Sequence, residues 1–301
     1  MNQRELNELR RRFKPDRTAI SKVYGCYVSS SRQIISYVDA PLGLLSQEEQ
    51  EMYLNLLKKS LSGALGRNLI DIEFSTRQVA DSDEHRLLQA LRQTELQDPN
   101  ARESLYRRII DAIDMGESSY LILLAADTYD VPHRSRDDQE VPDGSDTVFR
   151  YFVCAICPVK LSKAALCYNA QNNTIEERIR DWIVDMPSLG FLFPAFNDRN
   201  TDLHSLLYYS KNAEDLQETL INEILGCVPP LSAGSQKDTF NTMIQETLGP
   251  DCDYEAVKTI HEKITEMVDE HADEPEPLRL DKYEVKKLLQ EGGATKEDLE
   301  D

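Results

Sequence analysis

The sequence predicts an α/β fold, a mixed β-sheet flanked by helices and followed by an acidic, mostly helical C-terminal region. Three observations predict it. Strand-like segments rich in Val, Ile, Tyr and Phe fall between residues 23 and 210. Amphipathic helical segments are interleaved among them. After Asn212 the apolar spacing is helical almost throughout. The expected division is a sheet-bearing core over residues 1–230 and a helical region over residues 231–301.

The first helix is expected over residues 2–13, with Leu6, Leu9 and Phe13 on one stripe and Arg10, Arg11 and Arg12 in its last turn, where cations favour the helix dipole. Residues 23–29 and 33–39 read as a β-hairpin across a serine turn. Ser46 with Glu49 is a capping-box pattern for a helix reaching about Ser62. A strand follows over residues 68–74, then helices from about Ser82 and from Asn100. Residues 120–126 are apolar on both faces, as a strand buried inside a sheet requires. Residues 147–159 form another long β-rich run, and the polar stretch 128–146 between the two reads as a functional or mobile loop.

Thr174 and Glu177 suggest the start of a helix with Ile175, Ile179, Trp182 and Ile183 as its buried stripe. Residues 191–196, a turn at 197–200 and residues 203–210 read as a second hairpin, with Pro194 marking an edge or bulge. Four helices are expected afterwards, over residues 213–225, 235–248, 254–271 and 282–291. His261 is expected half-buried on the third of them. Thr295 with Asp298 resembles one more helix N-cap, which suggests a chain cut short of its natural end; a frayed polar tail explains it equally well.

Composition narrows the function classes. Of 301 residues, 40% are hydrophobic and 29% charged, a balance able to bury a core. Net charge is −20, which argues against broad nucleic-acid binding. Residues 251–301 carry 17 acidic and 7 basic side chains, whereas residues 1–22 carry 7 basic and 3 acidic ones. Ends of opposite sign can attract one another or recruit a protein partner. The N-terminus lacks the apolar segment of a secretory signal, and no apolar run is long enough for a membrane. A cytoplasmic protein is expected, with its six cysteines reduced.

Several stretches carry a family resemblance: GCYV from Gly25, LSGALGRNL from Leu61, YLILLAADTYDVP from Tyr120, CAICPVKLSKAALCYN from Cys154, the long run RIRDWIVDMPSLGFLFPAFNDRNTDLHSLLYYSKNAEDL from Arg178, and LSAGSQKDTF from Leu231. Together they resemble domain of unknown function 4317, a bacterial family mostly of Firmicutes. The resemblance covers nearly the whole chain and implies a cytoplasmic bacterial protein. It implies no activity and no catalytic residues. Members usually continue beyond the point where this chain stops.

Four groups of residues are candidates for chemistry. Cys154 and Cys157 form a CxxC pair, but inside a β run their side chains fall on opposite faces, so buried core cysteines are the simpler expectation. Asp198, Asp202 and His204, with Asp127 and Asp130 at the end of the central strand, offer carboxylates and an imidazole. Such a set suits a divalent cation such as Mn²⁺ or Zn²⁺, or an acid–base pair; ordinary turn residues are the alternative. Ser232, Gly234, Ser235 and Lys237 open a helix where free N–H groups favour an anion, and Gly63, Gly66 and Arg67 form a similar loop. Ordinary capping is the simpler expectation for both. Finally, Arg10, Arg11, Arg12, Lys14 and Arg17 form a basic patch with little aromatic interleaving.

No catalytic signature stands out, and a non-enzymatic regulatory or protein-binding module is the leading expectation. A metal-assisted hydrolase or phosphoryl-handling enzyme is the second. An RNA- or ribosome-associated factor using the N-terminal helix is the third. The oligomeric state is left open by the sequence.

Overall fold

The structure is a computed structural model. It describes residues 1, 3–131, 147–197, 200–202, 204–226, 231–249, 254–271, 278 and 280–294. Most of the expected loop, the suggested N-cap at Thr295 and candidate Asp198 lie outside the described residues.

Helix α1 (Gln3–Arg12) buries Leu6 and Leu9 and leads into the hairpin of β1 (Lys22–Val28) and β2 (Ile34–Pro41). A short 3-10 turn at Leu42–Leu44 precedes α2 (Gln47–Lys59). There Ser46 and Glu49 form both bonds of the capping box. Strand β3 (Leu69–Glu73) is followed by α3 (Thr76–Asp81), capped by Ser75 and Gln78, a helix with too little apolar content to stand out in sequence. Next come α4 (Asp83–Gln93), capped by Ser82, and α5 (Pro99–Ala112). Asp98, rather than Asn100, caps α5, because Pro99 takes the first helical position, where no N–H is needed.

Strand β4 (Ser119–Val131) pairs along its whole length with β5 (Thr147–Leu161). Residues 128–131, expected as loop, are thus strand. The largest departure follows. The expected helix from Thr174 does not form. The chain makes β6 (Leu166–Asn169), β7 (Thr174–Glu177) and β8 (Trp182–Val184) instead. Asn169 Oδ1 accepts from the N–H groups of Gln171 and Asn172, and Asn173 takes φ +53°, a conformation asparagine tolerates. This turn aligns Tyr168 with Ile175, and the β-branched residues beyond it favour extended backbone.

Strand β9 (Leu189–Phe193) ends before Pro194. It is an interior strand rather than an edge, because the proline lies just past its end. The short pair β10 (Ala195–Asn197) and β11 (Asn200–Asp202) interrupts the return to β12 (Ser205–Ser210). Helix α6 (Glu218–Leu225) starts later than expected, since Gln217 at φ +52° is incompatible with an earlier start. The C-terminal helices are α7 (Ala233–Leu248), α8 (Tyr254–Glu270) and α9 (Lys282–Glu291).

The main sheet has the order β2-β1-β4-β5-β9-β12-β3, with β8 added against the end of β5. The pairings along this path are antiparallel. Helices cover both faces, which explains the apolar runs in β4, β5, β9 and β12. One face carries Cys26, Ile122, Cys154 and Phe191 against Leu105 and Ile109 of α5 and Ile221 of α6. The other carries Leu123, Val153, Cys157 and Leu207 against Leu6 and Leu9 of α1 and Leu54 and Leu57 of α2. The close approach of the α2 C-terminus depends on Gly190, where a Cβ would lie 2.5 Å from the Cys154 carbonyl oxygen and 2.7 Å from Ser60 Cβ. Helices α7, α8 and α9 build a smaller cluster of their own around Ile244, Ile260 and Leu289. His261, expected half-buried there, is exposed.

Candidate functional site

The two cysteines of the CxxC pair stand in different cores, Cys154 on the α5 side and Cys157 on the α2 side. Burial pushes the Cys157 thiol up to about 12 and the Cys154 thiol well above its ordinary value. A thiolate, the reactive and metal-binding form, is therefore disfavoured at both.

The Asp/His group is only partly described. Asp202 ends β11 opposite Ala195, and Asp130 pairs with Val148 on the β4–β5 ladder. His204 is exposed, and its carbonyl accepts the Phe74 N–H at 2.6 Å. Asp127 has a different occupation. Its Oδ2 accepts from Arg12 Nε at 2.9 Å and from the Tyr151 hydroxyl at 2.8 Å. Its Oδ1 accepts from Arg12 Nη2 at 3.1 Å and from the Thr128 N–H at 2.8 Å. The carboxylate is buried and its hydrogen-bonding capacity is used within the fold. Burial is the largest influence on Arg12 and would lower its pKa, but the bond and charge of Asp127 outweigh it and hold the guanidinium protonated. Burial, then Asp127, drive the Tyr151 phenol well above its ordinary value. Among the described residues no group of three His, Cys, Asp or Glu side chains is gathered as a metal ion would need.

The helix start at Ser232 does face an anion, but one supplied by the chain itself. Glu214 Oε2 accepts from the Gly234 N–H and from Ser232 Oγ, both at 3.2 Å. A Cβ at position 234 would come within 2.1 Å of that oxygen. Ser232 Oγ also accepts the Ser235 N–H at 3.1 Å, and Lys237 points to solvent. In the other loop, Gly63 (φ +103°) and Gly66 (φ +77°) shape the turn before β3.

The basic patch is partly consumed as well. Arg10 donates through Nε to the Leu61 carbonyl at 2.6 Å and through Nη2 to that of Gly63 at 3.3 Å, holding the turn that follows α2. Arg12 holds Asp127 of the sheet. A cleft of about 930 Å³ lies between the end of α1 and α2, flanked by Lys14, Glu48, Glu51 and Lys58.

The feature that sequence reasoning missed lies where a helix was expected. From Leu161 the chain leaves the sheet, turns at residues 169–174 and returns to β8. Ser162 N bonds to the Asp181 carbonyl and Arg178 N to that of Ala165, both at 2.8 Å, so the two sides stay laced together between β5–β8 and β6–β7. The result is one two-stranded arm. In the β6–β7 register Leu166 and Tyr168 share a face with Ile175. That face is uncovered: Leu166 is 76% exposed, Tyr168 59% and Ile175 65%. At the base, Leu161 and Val159 stand opposite Trp182 and Val184, continuing the α2-side face of the sheet past its helices. Trp182, expected in a core, is 62% exposed, and Ile179 is 83% exposed. The legible signal was the alternation LCYN and TIEE on either side of an asparagine-rich turn.

Over its whole length, residues 1–301, the chain matches the sequence family described as Domain of unknown function (DUF4317). No curated protein matches it. No helix of the described residues is long and apolar enough to cross a membrane.

Proposed function

The chain belongs to the DUF4317 family, and we propose that it serves as a non-enzymatic, protein-binding module that docks through the arm formed by residues 159–186. The observation that carries this reading is the set of uncovered apolar side chains along that arm, Leu161 and Trp182 at the base and Leu166, Tyr168 and Ile175 near the tip. Scattered apolar residues are normal on a protein surface, but a contiguous set marks an interaction site. A two-stranded ribbon is marginal on its own and gains stability when its apolar face is packed against something. Among the described residues the ribbon also leaves backbone edges free: β6 and β7 pair with each other alone, and β8 with β5 alone.

The reading extends to the compartment. Cys26, Cys154, Cys157 and Cys167 are free thiols, and Cys167 lies on the arm, in keeping with a reducing cytoplasm. The RNA-binding alternative draws less support, because Arg10 and Arg12 of the basic patch are committed to Leu61, Gly63 and Asp127.

The test is affinity capture from the native host with wild-type chain and with Ile175→Glu. The substituted position is on exposed arm surface, so circular dichroism should be unchanged. Retention of a defined protein by wild type and its loss with the variant is the expected outcome. Equal retention by both would place docking elsewhere.

A further inference from the structure

We infer that the occupant of the arm is a second copy of this chain, in a twofold dimer built from arm against arm. This deepens the proposed docking function and rests on it.

Two quantities favour a second copy. The first is area. Nine apolar side chains of residues 159–186 are exposed. With full areas of roughly 150–250 Å² for the larger ones, they uncover on the order of 1,000 Å². A standard interface takes about 800 Å² from each partner, so two arms that wrap around each other and cover both ribbon faces offer what a stable twofold contact needs. The second is charge. The chain as a whole carries −20, and two copies repel one another over most of their surface. Residues 159–186 are balanced instead: they hold four basic side chains, Lys160, Lys163, Arg178 and Arg180, and four acidic ones, Glu176, Glu177, Asp181 and Asp185. The arm is therefore neutral and carries both signs close together.

A twofold contact must be self-complementary, because the same patch serves both partners. An apolar ribbon bearing equal numbers of acids and bases satisfies this condition. In such a contact the bases of one arm meet the acids of the other while the apolar residues pack between them. A strongly basic partner, by contrast, has a better target in the acidic C-terminal region than in a neutral arm.

The experiment is sedimentation velocity on the full chain, from micromolar to submillimolar concentration, for wild type, Trp182→Glu and Leu166→Glu. Wild type is expected to sediment at twice the 34.4 kDa of one chain. Each variant is expected to weaken self-association by about 30-fold or more, as removal of an interface anchor does. A wild-type dimer unaffected by both substitutions overturns the inference. So does a wild-type monomer throughout the range. If that monomer still captures a different protein in an arm-dependent way, the docking function survives and only the second copy falls. If it captures nothing through the arm, both fall.

Discussion

Trp182 stands directly across from Leu161 where β8 pairs with β5, and both side chains are open to solvent. Two positions further in, Val159 on the same face is buried beside the residues that α1 and α2 cover. The apolar face of the sheet thus outruns its helices, and in the ribbon beyond it Leu166, Tyr168 and Ile175 are open to solvent among the described residues. Folding alone does not require such a surface, since the two cores on either side of the sheet are complete without it.

Substitutions on the arm should separate association from stability. Leu166→Ser and Ile175→Ser remove exposed side chains and should change unfolding free energy by no more than about 0.5 kcal/mol. Urea titration of dilute protein reads this directly, and a loss of several kcal/mol would mean that the arm is packed within the monomer.

Removing the Asp127 carboxylate should have the opposite character. Asp127→Asn leaves the half-buried Arg12 guanidinium without its ion pair while keeping an acceptor for Tyr151. A loss of about 2–4 kcal/mol in stability is expected, somewhat less than for a fully buried pair because Arg12 retains some solvent. A double-mutant cycle with Arg12→Met, followed by urea unfolding, should return a coupling energy of similar sign; additive effects would show that the pair is not a unit.

Gly190 is a steric requirement. Gly190→Ala drives a methyl group into the Cys154 carbonyl and Ser60, and should cost about 1–3 kcal/mol. The corresponding change at Gly43, where a Cβ meets open space, should be nearly neutral, and the difference in Tm between the two variants is the readout.

Alkaline pH should destabilise the core through its thiols. Burial raises Cys26 and Cys157 from 9.0 to about 12. A folded pKa above the unfolded one means that the folded state keeps protons that the unfolded chain releases. This contribution is fully present below about pH 9 and is lost progressively as pH rises from 9 towards 12. Stability measured in urea should therefore fall across that window, and Cys157→Ala should flatten the fall. At pH 8, Cys26, Cys154 and Cys157 should resist a thiol reagent until the protein unfolds.

The parts of the fold that were legible in sequence share a cause. Residues 120–126 and 151–157 are apolar on both faces because both faces are buried, and the Ser46–Glu49 box acts within one helical turn. Local chemistry was enough at these places. The arm was illegible because Ile175, Ile179, Trp182 and Ile183 have the spacing of a helical stripe, and a stripe is read as core by assuming that apolar means buried. The pairing of Tyr168 with Ile175 across the turn decided the conformation, and the exposure of those residues reverses the inference drawn from their hydrophobicity. The candidate at Ser232 was legible as an anion-favouring helix start, but the carboxylate of Glu214, 18 residues earlier, is brought there only by the fold. Likewise nothing in the spacing of Arg12 and Asp127, 115 residues apart, announced their pairing.

The most direct measurement uses Trp182, the single tryptophan of the chain. Its emission and its quenching by acrylamide are recorded as the full-length protein is concentrated from the nanomolar to the micromolar range and above. An arm that packs against a second copy should shift the emission to the blue and lose acrylamide access as concentration rises, with the midpoint matching the sedimentation result. Emission that stays solvent-like and fully quenchable at every concentration would contradict arm-to-arm association.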